Sequence, residues 1–221
     1  MSTAAPADFK TAPAPKDAEG WLGRAAEVAA VLATDAATRD KAAATPYAEV
    51  QLLKDSGLVT LLGPVEHGGA GQDWPTAYRV VREVAKADGS IGQLLGYHYL
   101  WNWAARLVAT REQREQVEAE AARNQWFFGG AVNPRDQDVV VKDEGDTLTF
   151  TGRKTFSTIQ LVFVSFYLGI AAGALETATT YTRTKSRAWL HGGHEHAVDE
   201  PYVIDTYGDV TAKLWAAEAL P

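Results

Sequence analysis

The chain has no cysteine, which excludes disulfide bonds, thiolate catalysis and thiolate metal sites. It is also short of positive charge, since 21 lysines and arginines face 28 aspartates and glutamates and leave a net charge of −7. A chain of this charge has no basic field to attract phosphates, so nucleic acid is not an expected partner. Because a cysteine-free chain is compatible with a reducing compartment, we expect a cytoplasmic protein.

A long hydrophobic run is missing as well. The most apolar stretch, residues 159–175, contains Gln160 and Ser165 and is followed by Glu176. A membrane-spanning helix needs about 20 predominantly apolar residues, so the pattern favours a buried helix and no membrane partner. Residues 1–20 are rich in alanine and proline but lack the apolar core of a signal peptide, which predicts a flexible tail.

Helical signals fill the first half of the chain. Apolar residues recur every three or four positions from Trp21 to about Arg39, which predicts one helix. Thr45 and Pro46 have the order of an N-cap followed by the first residue of a second helix. Ser90 can cap a helix over Ile91–Ala109 that is apolar almost all round, as in the middle of a bundle.

Thr110 and Gln113 have the spacing of a capping box and predict the start of a further helix.

After Asn124 the residue pattern changes from helical to β. Beyond it, alternating residues predict three short strands, and helical patterns return from Ile159. The fold class is therefore α+β, mostly α: an N-terminal helical bundle, a few β-strands, then long C-terminal helices. The predicted divisions are a flexible tail (1–20), an N-terminal α-helical domain (21–124), a partial β-domain (125–158) and a partial C-terminal helical domain (159–221).

Histidines cluster in the loop "HGGHEH" near the C-terminal helices. Together with nearby carboxylates they have the chemistry to bind a divalent metal. Their spacing lacks the helical i, i+4 arrangement of a zinc-binding helix, so we expect no metal site. The residues concerned are His191, His194, His196, Asp199 and Glu200.

The junction between the last predicted strand and the next helix has no turn. A connection of this kind usually takes about 2–6 residues with glycine, proline, asparagine or aspartate. None of these occurs between Phe156 and Leu161. We therefore expect that part of the chain is missing here and that the predicted strands belong to a larger sheet, since three short strands alone have little independent stability.

Five segments carry a resemblance to a known family. The chain resembles the acyl-CoA dehydrogenase superfamily, and within it the flavin-dependent monooxygenases of the dibenzothiophene monooxygenase type. The resemblance implies an incomplete acyl-CoA dehydrogenase-like fold, in which most of the middle β-domain is missing between Thr158 and Ile159 and the C-terminal bundle is truncated. The segments are "EHGGAGQDW", "ADGSIGQLLGYH", "WFFGGAVNPRD", "GRKTFST" and the helix from "YLGIA" and "GAL" to "YTRTKSRAW".

The activity that the resemblance implies is oxygen transfer. Reduced flavin, FMN or alternatively FAD, would come from a separate reductase and react with O2 to oxygenate a sulfur-containing or similar small organic substrate in a homo-oligomer. One alternative is an acyl-CoA dehydrogenase. Another is a shortened, catalytically incompetent relative that acts at most as a binding or oligomerisation module, because a missing β-domain would leave the flavin open to water.

The resemblance also implies roles for residues on either side of the flavin. His98 would act near the flavin as a catalytic residue that hydrogen-bonds or protonates the peroxide oxygen, although a buried core histidine would have the same sequence context. Tyr97 and Trp101 would wall the substrate pocket, or pack in the core. Thr158 would meet the reactive edge of the flavin as a catalytic and cofactor-binding residue. The other cofactor-binding residues implied are Gly130, Ala131, Val132, Asn133, Phe156 and, for the flavin phosphate of a neighbouring subunit, Arg187.

Overall fold

The protein is described by a computed structural model that covers residues 8–130, 138–153, 160–190 and 192–218. Most of these residues are helical, which confirms the predicted α+β, mostly α class. The helices are α1 (Ala18–Leu32), α2 (Ala36–Ala42), α3 (Tyr47–Asp55), α4 (Trp74–Ala87), α5 (Gly89–Trp103), α6 (Ala105–Val108), α7 (Arg111–Asn124), α8 (Gln160–Thr184) and α9 (Pro201–Glu218). The strands β1 (Val140–Asp143) and β2 (Leu148–Thr151) form an antiparallel hairpin.

Side-chain caps set where several helices begin. Thr110 and Gln113 form the predicted capping box at the start of α7. At α5 the predicted cap, Ser90, is wrong, because the Asp88 carboxylate accepts the Ile91 N–H at 3.0 Å and itself caps the helix. A carboxylate is favoured at that position because it also interacts with the positive end of the helix dipole. At α3 the predicted cap is displaced by one residue, so that Pro46 rather than Thr45 is the N-cap.

The predicted first helix is divided in two, because α1 ends at Leu32 and Arg39 of α2 turns back to contact that end. The Arg39 guanidinium on α2 donates to the Leu32 carbonyl oxygen at 2.7 Å and to the carboxylates of Asp35 and Asp88 at 2.8 Å each. These bonds satisfy an exposed end of α1 and tie α2 to the start of α5. A second predicted helix, over residues 91–109, is likewise divided, since α5 ends at Trp103 and α6 follows it.

Residues 8–17 pack against the helices instead of forming the flexible tail that their composition predicts. Phe9 is buried beneath the guanidinium of Arg24, which lies 5.3 Å from the ring centre. Arg24 also donates to the carbonyl oxygens of Pro13 at 2.9 Å and Ser56 at 3.2 Å. One buried cation therefore fixes the N-terminal segment to α1 and to the end of α3.

Helix α4 occupies the centre of the core and contacts α1, α5 and α8. Its contact with α8 is unusually close, since a Cβ atom on Gly169 or Gly173 would lie 2.4 Å from the Arg82 carbonyl oxygen or 2.1 Å from that of Lys86. The two glycines are one helical turn apart, so together they let the α8 backbone rest on α4. Phe166, one turn before Gly169, is buried in the same core.

The β-region is smaller than predicted in the part of the chain that the structure describes. Only β1 and β2 form strands there, and the described part of the first predicted strand, residues 126–130, is an irregular segment. The side chains of both strands are exposed, including Val141 and the opposite Phe150. Within the described ranges, no helix is long and apolar enough to cross a membrane.

We expect Gly173→Ala to lower the free energy of unfolding by about 1–3 kcal/mol, because the new methyl group overpacks the contact between α8 and α4. Alanine has the higher helix propensity, so a helix without this contact would gain stability instead. The measurement is urea denaturation followed by circular dichroism.

Gly208→Ala on α9 is the matched control. A Cβ atom at Gly208 has open space around it, so this substitution should raise stability by about 0.5–1 kcal/mol or leave it unchanged. Equal effects of the two substitutions would show that α8 does not rest on α4 through its glycines.

Candidate functional site

The candidate site is built on α5, where His98 is buried between two main-chain segments. Its Nε2 atom lies 2.7 Å from the Val59 carbonyl oxygen, and its Nδ1 atom accepts the Phe128 N–H at 3.0 Å. A carbonyl oxygen only accepts and an amide N–H only donates, so Nε2 carries the proton and Nδ1 does not. The geometry therefore fixes one neutral tautomer of His98.

The surroundings of His98 also favour its neutral form. The pKa of His98 is lowered to about 4, mainly because burial disfavours the charged imidazolium. The positive charge of Lys54 also lowers this pKa, whereas the hydrogen bond to the Val59 carbonyl oxygen raises it. The Phe127 ring stacks on the imidazole at 4.9 Å with an angle of 14° between the planes. At neutral pH the side chain is thus an uncharged link between α5 and the segment 126–130.

Tyr99, the next residue of α5, binds the main-chain carbonyl group next to the one that His98 contacts. Its hydroxyl group donates to the Leu58 carbonyl oxygen at 2.8 Å, and burial raises the pKa of this phenol well above its usual value. Leu58 and Val59 belong to one short 3-10 turn over Leu58–Thr60. Two neighbouring side chains of α5 therefore hold the same turn through consecutive carbonyl groups.

Trp101 lies directly against Gly130. A Cβ atom at Gly130 would be 1.8 Å from the indole Nε1 of Trp101, so only glycine allows the chain to pass this close. The indole Nε1 is buried and has no hydrogen-bond partner among the described residues. Trp101 thus supports the segment 126–130, and its predicted part in a substrate pocket stays a prediction.

A groove of about 890 Å³ runs between the first turns of α5 and the side of α8. Gln93 of α5 and the aromatic side chains of Tyr167, Tyr181 and Tyr207 line it. Gln93, Tyr97 and Trp101 follow each other at intervals of four residues, so they lie along one face of α5. The two predicted pocket residues therefore continue the helix face that begins in this groove.

Arg187 lies in the loop between α8 and α9, where it is exposed and forms no ion pair with any residue that the structure describes. An isolated β-bridge joins it to His196, and the buried carboxylate of Glu200 accepts the Trp189 N–H at 2.5 Å. Leaving His191 aside, which lies outside the described residues, no cluster of three metal-binding side chains is found in the described loop. Glu200 thus organises the loop that presents Arg187.

Five of the predicted site residues fall outside the described residues, and their roles stay predictions. The structure brings His98, Trp101 and Gly130 together on one side of α5. The partners of His98 were not predicted, because they are main-chain groups of Val59 and Phe128 that no residue type reveals. The predicted residues outside the description are Ala131, Val132, Asn133, Phe156 and Thr158.

Comparisons with known proteins give consistent results. Residues 24–125 match the family described as Acyl-CoA dehydrogenase, N-terminal domain. A dibenzothiophene monooxygenase of Rhodococcus erythropolis is 30% identical over 298 residues, which cover 91% of this chain and 69% of the relative. The solved structure of methanesulfinate monooxygenase MsuC from Pseudomonas fluorescens matches with a TM-score of 0.83 and 28% identity, covering 88% of this chain and 72% of that chain. TdsC from Paenibacillus sp. A11-2, solved with FMN and indole, matches with a TM-score of 0.76 and 28% identity over 90% of this chain and 73% of that chain.

The length of the sequence alignment shows where this chain differs from its relative. The aligned region spans 298 residues and so exceeds the 221 residues of the whole chain by 77. At 77 positions or more, therefore, the Rhodococcus protein has a residue and this chain has a gap. The chain is shorter within the aligned region, in agreement with a truncated β-domain, while the predicted junction at Thr158 lies outside the described residues.

We expect acidification to destabilise the protein through His98. The pKa of His98 is about 4 in the folded chain and about 6.5 when unfolded, so the unfolded state binds the proton first as the pH falls. The stabilisation from the neutral His98 side chain is fully present above pH 6.5. It is lost as the pH falls from about 6.5 through 4, which lowers the free energy of unfolding by about 3 kcal/mol. Urea denaturation at a series of pH values measures it.

His98→Asn and Tyr99→Phe provide the comparison. The asparagine variant cannot titrate at this position, so its stability should fall less between pH 7 and pH 4, whereas the Tyr99 variant should retain the full loss. Parallel curves for the wild type and His98→Asn would contradict the buried neutral tautomer.

Proposed function

Because the chain belongs to the acyl-CoA dehydrogenase superfamily, we propose that it is an FMN-dependent monooxygenase that oxygenates a small sulfur-containing or similar organic compound. The observation that carries the proposal is the similarity, over about nine-tenths of the chain, to proteins named dibenzothiophene monooxygenase and methanesulfinate monooxygenase. Both are monooxygenases named for sulfur compounds. FMN is the proposed flavin because TdsC, at a TM-score of 0.76, was solved with it.

The proposed reaction requires the reduced flavin. One oxygen atom of O2 enters the substrate and the other leaves as water, and the two electrons and two protons that balance this step are supplied by FMNH2 when it is bound. We therefore propose a separate flavin reductase as a partner.

Two features of the described residues support the proposal that the chain binds FMN. Close to α5, the Trp101 indole packs against the main chain of Gly130, the first of the residues that we propose to contact the flavin ring. On the loop after α8, the guanidinium of Arg187 is exposed and has no ion-pair partner in the described part of the chain, which suits a phosphate group. We propose that Arg187 binds the flavin phosphate, across a subunit contact in a homo-oligomer. The proposed ring contacts come from Ala131, Val132, Asn133, Phe156 and Thr158.

A small organic substrate has space along α5. The groove beside Gln93 is lined by tyrosines, and the same helix face continues to Tyr97 and Trp101, next to Gly130. Aromatic walls of this kind favour apolar or aromatic compounds over highly charged ones. We propose that the substrate lies on this face, where Tyr97 and Trp101 lead toward the flavin.

A second candidate function is a binding or oligomerisation module without turnover. The truncated β-domain and the exposed side chains of β1 and β2 favour it, because oxygen transfer needs a site from which water is excluded. A module of this kind would still bind FMN through the same residues. The two candidates therefore differ in oxygen transfer and agree in FMN binding.

The test is a single-turnover reaction. The protein is mixed anaerobically with photoreduced FMN and dibenzothiophene, ¹⁸O2 and catalase are added, and the products are analysed by mass spectrometry. The proposal predicts a protein-dependent product that has gained one ¹⁸O atom. Product no more abundant than in the protein-free mixture, despite bound FMN, would favour the module.

We expect Arg187→Ala to weaken FMN binding about tenfold, because the variant loses a charge-assisted contact with the phosphate. The dissociation constant is measured by quenching of FMN fluorescence. Arg123→Ala, which removes an exposed arginine at the end of α7, is the control and should leave the constant unchanged. Equal affinities for all three proteins would contradict the phosphate contact.

A further inference from the structure

Strand β2 has one edge to which no described residue is paired. In the part of the chain that the structure describes, the sheet has two strands, so β1 occupies one edge of β2 and leaves the other open. The apolar side chains of β2 are exposed as well, with 57% of Leu148 and 65% of Phe150 accessible to solvent. Because a two-stranded hairpin is only marginally stable by itself, a further strand at this edge would stabilise it.

The hydrogen bonds of the hairpin show which main-chain groups face the open edge. Next to the turn, the Glu144 N–H donates to the Thr147 carbonyl oxygen at 3.0 Å. Hydrogen-bonded and non-hydrogen-bonded pairs alternate along antiparallel strands, so Thr149 is the next residue bonded to β1. The N–H and carbonyl groups of Leu148 and Phe150 therefore point away from β1, toward an added strand.

The β2 edge also lacks the features that keep an exposed strand from pairing. Charged residues and proline usually protect such an edge. The sequence from Thr147 to Thr151, "TLTFT", contains neither. Strand β1, in contrast, carries Lys142 and Asp143. Of the two edges of the hairpin, that of β2 is the one suited to pairing.

The residue types of β2 are symmetric about Thr149, which points to a second copy as the partner. Leu148 and Phe150 on its two sides are apolar, and Thr147 and Thr151 beyond them are both threonine. When two identical strands pair antiparallel about Thr149, apolar residues therefore lie opposite apolar ones and threonines opposite threonines. Leu148 of one copy and Phe150 of the other then form a hydrogen-bonded pair, as their outward main-chain groups require.

Charges at the two ends of β2 agree with the same register. Asp146 lies in the turn before the strand and Arg153 lies two residues after it, and both are exposed. Antiparallel pairing about Thr149 places Asp146 of one copy opposite Gly152 of the other, and so beside Arg153. Opposite charges therefore meet at each end of the paired strands.

We propose that the open edge of β2 pairs with the same edge of a second copy of this chain, forming an antiparallel four-stranded sheet about a two-fold axis at Thr149. A two-fold contact uses each edge once and closes, so it yields a dimer and not a fibre. One short strand provides a small interface, so we expect a dissociation constant on the order of 10 μM. The proposal uses the hairpin alone and does not depend on flavin binding or oxygen transfer.

Because the full chain has no cysteine, single cysteines can test this register. Thr149→Cys places two thiols at a non-hydrogen-bonded pair across the axis, where Cα atoms about 4.5 Å apart suit a disulfide bond. Thr151→Cys is the matched control, because its two thiols would be about 13 Å apart along the paired strands. With oxidised glutathione, Thr149→Cys should give at least about tenfold more covalent dimer than Thr151→Cys. Thr151→Cys mixed with Thr147→Cys should form the dimer again, since these residues lie opposite each other.

Sedimentation velocity of the full chain measures the association without a cross-link. Phe150→Pro removes an outward N–H from β2, whereas Val141→Pro removes the corresponding N–H from the other edge of the hairpin, directly opposite. The wild type should pass from monomer to dimer with rising concentration. We expect Phe150→Pro to weaken this association at least about tenfold and Val141→Pro to leave it within about twofold.

Three results would overturn the paired edge. One is a wild type that stays monomeric at every concentration, as it would if the edge served a strand of another protein; another is equal cross-linking of Thr149→Cys and Thr151→Cys; the third is equal association of the two proline variants. Flavin binding, measured on the same wild-type samples by fluorescence quenching, separates the two proposals. Its absence would overturn the proposed function alone, because the dimer does not require FMN.

Discussion

The close contact between α8 and α4 determines how the rest of the protein is arranged. Gly169 and Gly173 bring the α8 backbone against the main-chain carbonyl groups of Arg82 and Lys86. Because α4 also contacts α1 and α5, this interaction, together with the direct contact of α8 with α5, joins the C-terminal helices to the N-terminal ones. The contact is made by helices alone, so it does not depend on the truncated β-domain.

The same helical frame positions the residues of the proposed flavin site. Helix α5 holds the Leu58–Thr60 turn through His98 and Tyr99, and holds the segment 126–130 through His98 and Trp101. These contacts are buried, and most of them use main-chain partners. They therefore fix the segment 126–130, which leads from α7 to the β-region, as an edge of the helical part. Exposed strands β1 and β2 lie beyond this edge. The fold therefore supports flavin binding more directly than it supports the exclusion of water that oxygen transfer requires.

Sequence patterns predicted those features that depend on local side chains. The capping box of Thr110 and Gln113, the mostly helical class and the resemblance to the acyl-CoA dehydrogenase superfamily were all confirmed. The errors arise where a distant partner decides the outcome: Arg39 ends the first helix through contacts with Leu32 and Asp88. The partners of His98 were missed for the same reason, since a main-chain carbonyl or N–H group belongs to every residue type. The contact of Gly173 with the Lys86 main chain could not be predicted from the sequence either, because it depends on how α8 and α4 pack together.

The central claim is that the helical frame folds as one unit and retains an FMN-binding edge. Thermal unfolding of the full chain with FMN, with riboflavin or without either tests it most directly, because a ligand that binds only the folded state raises the unfolding temperature. The account predicts one cooperative transition that FMN shifts upward by several degrees and that riboflavin, which lacks the phosphate, shifts less. A gradual, non-cooperative melt, or a transition that FMN leaves in place, would contradict it.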